Sequence, residues 1–180
     1  MIDVHGYYSL AKQIESPFYN ERPSGVEISL LVIHCISLPK GCYTGGAIEA
    51  LFTGCLDCSS DPSFTDLLGV EVSAHCVIRR DGAVQQYVPF NGRAWHAGIS
   101  SFEGMPACND YSIGIELEGT DDSTYTEKQY HSLAKLTQAI QQVYPHITKE
   151  RITGHSDIAP GRKTDPGPYF NWQHYFSLFE

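Results

Sequence analysis

The sequence predicts a single α/β domain over residues 1–180, with a central mixed β-sheet flanked by helices. Three stretches carry that reading. Residues 28–34 are nearly all leucine and β-branched, the pattern of a strand covered on both faces. Residues 112–118 alternate, so Ile113, Ile115 and Leu117 share one face and Gly114, Glu116 and Glu118 the other. Residues 126–144 repeat apolar side chains at helical spacing, open on the capping box Thr126-x-x-Gln129 and stop at Pro145.

The remaining elements follow from local chemistry. Residues 1–20 are mixed and polar and are expected to wrap the surface. After His34 ends its strand, Pro39, Gly41, Gly45 and Gly46 dictate a loop, and residues 47–52 and 61–68 form short helices. Residues 72–88 read as a hairpin about Asp81-Gly82, a two-residue turn in which both positions take positive φ. Residues 89–109 form a long loop, and such a loop inside a compact domain is usually functional. A short strand at 151–153 leads into the Gly- and Pro-rich loop 154–168, and residues 172–179 form a last helix. No repeat, low-complexity tract or linker divides the chain.

Composition excludes several classes. A net charge of −9 argues against a nucleic-acid binder, which needs a basic patch. No apolar run of about 18 residues exists to span a membrane. The first twenty residues show no basic segment followed by an apolar one, so the expected location is cytoplasmic and the six cysteines are expected as reduced thiols. Cys55-x-x-Cys58 has the spacing of a redox pair or half a zinc clip, but no second pair completes it.

The loop at 154–168 gathers His155, Asp157, Lys163 and Asp165. His155 and Asp165 lie ten positions apart and meet only if the loop folds back. With His34 they would make a His, His, carboxylate set, which suits a catalytic zinc that keeps one position for water. Spacing alone leaves the set open. Asp157 competes with Asp165, although it follows His155 too closely and better suits a cap on the next turn. Glu116, flanked by Ile115 and Leu117, is the candidate general base, because desolvation raises a carboxyl pKa toward a useful range. Glu118 is expected to be the solvated glutamate of that strand. Lys163 is either a surface charge or a fixed cation for an oxyanion. His75 reads as a core or supporting group, His96 as cleft wall or local packing, and His5, His131, His146 and His174 as surface residues.

Ordered motifs strengthen this picture. They are Val32-Ile33-His34 with Ile36-Ser37-Leu38-Pro39, Val72-Ser73-Ala74-His75, Arg79-Arg80-Asp81-Gly82, Tyr87-Val88-Pro89-Phe90 and Arg93-Ala94-Trp95-His96-Ala97-Gly98. The run from Asn109 to Thr120 and the loop at 154–168 complete the series. Together they resemble the zinc-dependent N-acetylmuramoyl-L-alanine amidases of the AmpD type, relatives of phage lysozyme-like amidases and peptidoglycan recognition proteins. The resemblance implies that fold, one zinc per chain on His34, His155 and Asp165, Glu116 as proton acceptor and Lys163 as transition-state stabiliser. It further implies a cytosolic enzyme of cell-wall recycling whose substrate is an anhydro-N-acetylmuramyl peptide, cut between the lactyl carbonyl and L-alanine. A monomer is expected, with Trp95, His96 and Cys35 as the substrate-binding residues. Cys35 stands where the family pattern has asparagine, and Glu71 and Ala107 where it has arginines. Two rival readings are a non-catalytic muropeptide-binding module and a thiol hydrolase using Cys35 or Cys76.

Overall fold

Alternation along two long strands decides the architecture. A computed structural model of the chain describes residues 1–179. Its strands are β1 (Lys12–Gln13), β2 (Tyr19–Asn20), β3 (Leu30–Ile36), β4 (Cys76–Ile78), β5 (Val84–Gln86), β6 (Arg93–Ala94), β7 (Ser101–Phe102), β8 (Met105–Pro106), β9 (Ser112–Glu118) and β10 (Ile152–Gly154). Its helices are α1 (Ala47–Phe52), α2 (Glu127–Val143), α3 (His155–Ile158) and α4 (Trp172–Ser177). The main sheet runs β1-β5-β4-β9-β3-β10. It is mixed, because β4 and β5 pair antiparallel while the other neighbours are parallel.

One face of the sheet is apolar. Leu31, Ile33, Ile113, Ile115 and Leu117 pack with Leu133, Leu136 and Ile140 of α2 and Tyr175 of α4. Burying each such side chain contributes on the order of 1.5–3 kcal/mol. The N-terminus of α2 is pinned as well as capped. Thr126 Oγ1 accepts from Gln129 N–H at 3.1 Å, and Gln129 Nε2 donates to the carbonyls of Glu118 and Ile78. The opposite face is divided between α1, whose Ile48, Leu51 and Phe52 cover Val77 and Tyr87, and a smaller cluster of Leu30, Val32, Ala97, Tyr111 and Ile158.

Several expectations change in detail. The strand expected at 28–34 is shifted two residues, to Leu30–Ile36. The segment 1–20 does more than wrap the surface, since β1 adds an edge strand beside β5. The hairpin turn holds three residues, not two. Arg79 N–H donates to Ala83 O and Gly82 N–H to Arg79 O, and only Gly82 takes positive φ, at 86°. An Asp81 carboxylate that accepts from Ala83 N–H stabilises this wider turn. The loop at 89–109 contains β6, β7 and β8, and the loop at 154–168 begins with the single turn α3.

Candidate active site

Register brings the site together. In the parallel β3–β9 pair His34 lies opposite Glu116, so both project from the face away from α2. Gly154 of β10 pairs with Ile33, which sets His155, the next residue, beside His34. The loop after α3 returns, with Ser156 N–H donating to Asp165 O at 2.9 Å. Asp157 reaches back rather than forward: its Oδ2 accepts from Gly154 N–H and Thr153 Oγ1, both at 2.9 Å. That caps the start of α3 and leaves Asp165 as the carboxylate at the histidines.

His34 Nδ1 and His155 Nδ1 stand 2.9 Å apart, and Asp165 Oδ2 lies 3.1 Å from each. The three form the group among the described residues whose ligand atoms could hold one metal ion. Tetrahedral zinc with bonds of about 2.0–2.1 Å separates its ligand atoms by about 3.3 Å, so a small outward relaxation would fit these three atoms to such an ion. The outer nitrogens face protein: His155 Nε2 lies 3.1 Å from Ala97 O, and His34 Nε2 2.8 Å from His96 Nδ1. Two neutral imidazoles and a carboxylate are a donor set that zinc accepts.

Burial governs the protonation states. Burial pushes His34 down to about 4 and, aided by the Arg22 cation, His75 down to about 3. Both rings are therefore neutral. Burial pushes Asp165 up, but hydrogen bonds with His155 and His34 outweigh it and hold the carboxyl below its ordinary range. Burial raises Glu116 well above the usual carboxylate range, with the Asp165 charge adding and Lys163 opposing. Glu116 Oε2 is buried with no hydrogen-bond partner. Glu118 is not solvated: it is 2% exposed, pairs with Arg79 at 2.9 Å and accepts from Arg80 N–H.

The site opens into a cleft of about 260 Å³, walled by Leu38, Leu51, Phe52, Leu67 and Trp95 and shared by His34, His155 and Asp165 with Cys35, His96 and Lys163. A second, more polar cleft of about 330 Å³ meets it at Cys35, Lys163 and Asp165, and includes Lys40, Thr120 and Asp121. Trp95 is held in its wall by Phe18, stacked at 6.3 Å, and by Asn20, which accepts from its Nε1 at 2.7 Å. Cys35 is half-buried, and burial pushes its thiol up to about 12. Cys76 is fully buried, with its thiol also pushed up by burial. Neither is a ready thiolate nucleophile. Glu71 and Ala107 are exposed, and all six cysteines are free.

Behind the site stands a frame with almost no signature in the sequence. Arg22 is a largely buried cation that donates to the carbonyls of Asn109, Asp110, Phe90 and Ser112. Asn109 Oδ1 accepts from His96 N–H and Ala97 N–H, and Arg162 donates to the carbonyls of Ala97 and Ile99. These bonds fix residues 95–99 against the two histidines. Asn109 belongs to one of the matched motifs, which was its only signal.

The chain matches a family model, named relatives and solved structures. The N-acetylmuramoyl-L-alanine amidase family model matches residues 24–168. The 1,6-anhydro-N-acetylmuramyl-L-alanine amidase AmpD of Escherichia coli (strain K12) is 52% identical, over 97% of this chain and 95% of that protein. The protein of the same name from Haemophilus influenzae is 51% identical, over 96% and 94%. A crystal structure of a Se-Met AmpD derivative superposes with a TM-score of 0.97 at 51% identity, covering 100% of this chain and 99% of that one. The amidase AmiD from E. coli, solved with anhydro-N-acetylmuramic acid-L-Ala-D-gamma-Glu-L-Lys, superposes with a TM-score of 0.62 at 31% identity, covering 88% and 60%. With a sheet, a histidine pair and an acidic partner set out as above, the chain belongs to the N-acetylmuramoyl-L-alanine amidase family.

Proposed function

We propose that this amidase hydrolyses the bond between the lactyl carbonyl of (anhydro-)N-acetylmuramic acid and L-alanine in muropeptides, using one zinc ion held by His34, His155 and Asp165. The observation that carries the zinc reading is the convergence of those three ligand atoms, all within 4.8 Å of one another. Zinc bound there would supply Lewis acidity, lowering the pKa of a water from about 15.7 toward about 7 and polarising the amide carbonyl.

The protein's own groups do the rest. Glu116, raised in pKa and free at Oε2, takes the proton of the attacking water and returns it to the leaving alanine nitrogen. Lys163 borders both clefts and stabilises the developing oxyanion. The two clefts meeting at the ligand group suit a substrate that extends both ways from its scissile bond, with Trp95 as an apolar wall and Cys35 at the junction. His96 also borders the groove, with both ring nitrogens already engaged. Among the described residues no helix is long and apolar enough to cross a membrane. Six free thiols support a reducing, cytoplasmic setting for a cell-wall recycling enzyme, and we propose a monomer.

The test is product analysis. Incubation with anhydromuropeptide should release free stem peptide, detected by mass spectrometry. A chelator should abolish release, zinc should restore it and thiol alkylation should spare it. Tight muropeptide binding without release would instead favour a recognition module.

A further inference from the structure

The face of β9 that carries Glu116 also carries Gly114, and a ring stands where Gly114 has no side chain. A Cβ built there would lie 2.5 Å from His96 Cγ and Nδ1, closer than real Cβ contacts come. The backbone N–H of Gly114 donates to His75 Nδ1 at 3.0 Å, so the strand cannot slide away without breaking that bond. The His96 ring is thereby pressed against His34 edge to face, with centroids 4.9 Å apart at 87°.

Proton counting then orders the hydrogen bonds. His34 Nδ1 faces His155 and Asp165, so a metal there requires its lone pair. A neutral imidazole has one N–H, which must be Nε2–H, and it points at His96 Nδ1 2.8 Å away. His96 Nδ1 must accept, so its own proton sits on Nε2 and faces Ser112 Oγ at 3.1 Å. Both ligand histidines are thus oriented from one short segment, His34 by the ring of His96 and His155 by the carbonyl of Ala97.

We propose that His96 is a positioning residue for the metal: its Nδ1 accepts from His34 Nε2–H and fixes the tautomer and aim of that ligand, with Ser112 holding His96 in turn and Gly114 leaving room for its ring. The inference rests on the zinc reading and gives His96 a role other than touching substrate.

The test compares zinc affinity, by competition with a chromogenic chelator, in wild type, His96→Phe, His96→Asn and Ser112→Ala, alongside the absorption spectrum of each cobalt-substituted protein. His96→Phe keeps ring volume but has no acceptor and should weaken zinc binding roughly 10–100-fold, with an altered cobalt spectrum. His96→Asn offers an amide oxygen near the place of Nδ1 and should recover most of that loss. Ser112→Ala is the mildest change and should weaken affinity by roughly a few-fold, which keeps the question open to measurement if His96→Phe does not fold. Wild-type zinc affinity in folded His96→Phe, or in Ser112→Ala where that variant does not fold, overturns the proposal. A raised KM with unchanged zinc affinity would make His96 a substrate contact. Failure of the wild type itself to bind zinc would overturn the metal reading before any substitution is considered.

Discussion

The two faces of the sheet are made from the same strands and could hardly differ more. Toward α2 and α4, Ile113, Ile115 and Leu117 of β9 lie at 0% exposure in the main apolar cluster. Toward the cleft, Gly114, Glu116 and Glu118 alternate with them along the same strand. On that side of β9, Gly114 N–H donates to His75, Glu118 pairs with Arg79, and Glu116 Oε2 has no hydrogen-bond partner. One face supplies the stability that lets the other keep an unsatisfied carboxyl oxygen. Stability and chemistry should therefore separate residue by residue along β9.

The sharpest test of that separation is Glu116→Gln. The amide keeps the shape and removes the base, so kcat should fall about 10²–10⁴-fold. Stability should hold or rise, because a buried carboxyl whose pKa is raised costs free energy when ionised at neutral pH. Steady-state kinetics with thermal unfolding checks both. One residue away, Ile115→Ala should do the reverse. It should cost about 2–5 kcal/mol in denaturant unfolding while the folded fraction keeps one zinc per chain and near-normal turnover. If Ile115→Ala selectively removed zinc, the two faces would not be independent.

Lys163→Ala removes one oxyanion donor and should cost about 2.7–4 kcal/mol of barrier with zinc content unchanged. Full activity would remove Lys163 from the mechanism.

A smaller effect belongs to pH. His75 is neutral in the fold down to about 3, whereas the unfolded chain protonates it below about 6.5. The unfolded state then binds more protons, so stability should fall as pH drops from about 6.5 toward 3. At pH 5 this one group accounts for about 2 kcal/mol. Unfolding of the metal-free protein between pH 7 and 4 should show that slope, and His75→Asn, which retains an acceptor for Gly114 N–H, should flatten it. An unchanged slope would assign the effect elsewhere.

How much was legible follows the same division. The apolar face declared itself by period, since Ile113, Ile115 and Leu117 can only share one side of a strand, and the helix at α2 by its capping box and stripe. His34, Glu116 and His155 were legible because they sit on or beside ordered strands, so register alone assembles them. What covers a polar face is not written in alternation. Glu118 was expected in solvent because nothing local shows that Arg79 and Arg80 close over it. Arg22 was invisible for a related reason: its partners are backbone carbonyls some seventy to ninety residues away, and a carbonyl has no sequence signature. The Asp81-Gly82 turn widened because the Asp81 side chain could bond Ala83 N–H, a local competition that dipeptide preference does not reveal.

Zinc-edge X-ray absorption of the loaded protein tests directly whether three side chains converge on one cation. The expected first shell is nitrogen and oxygen at about 2.0–2.1 Å with two imidazoles and no sulfur, losing one imidazole in His34→Ala. A sulfur at about 2.3 Å, which would bring in Cys35, or a shell unchanged in His34→Ala, would contradict it.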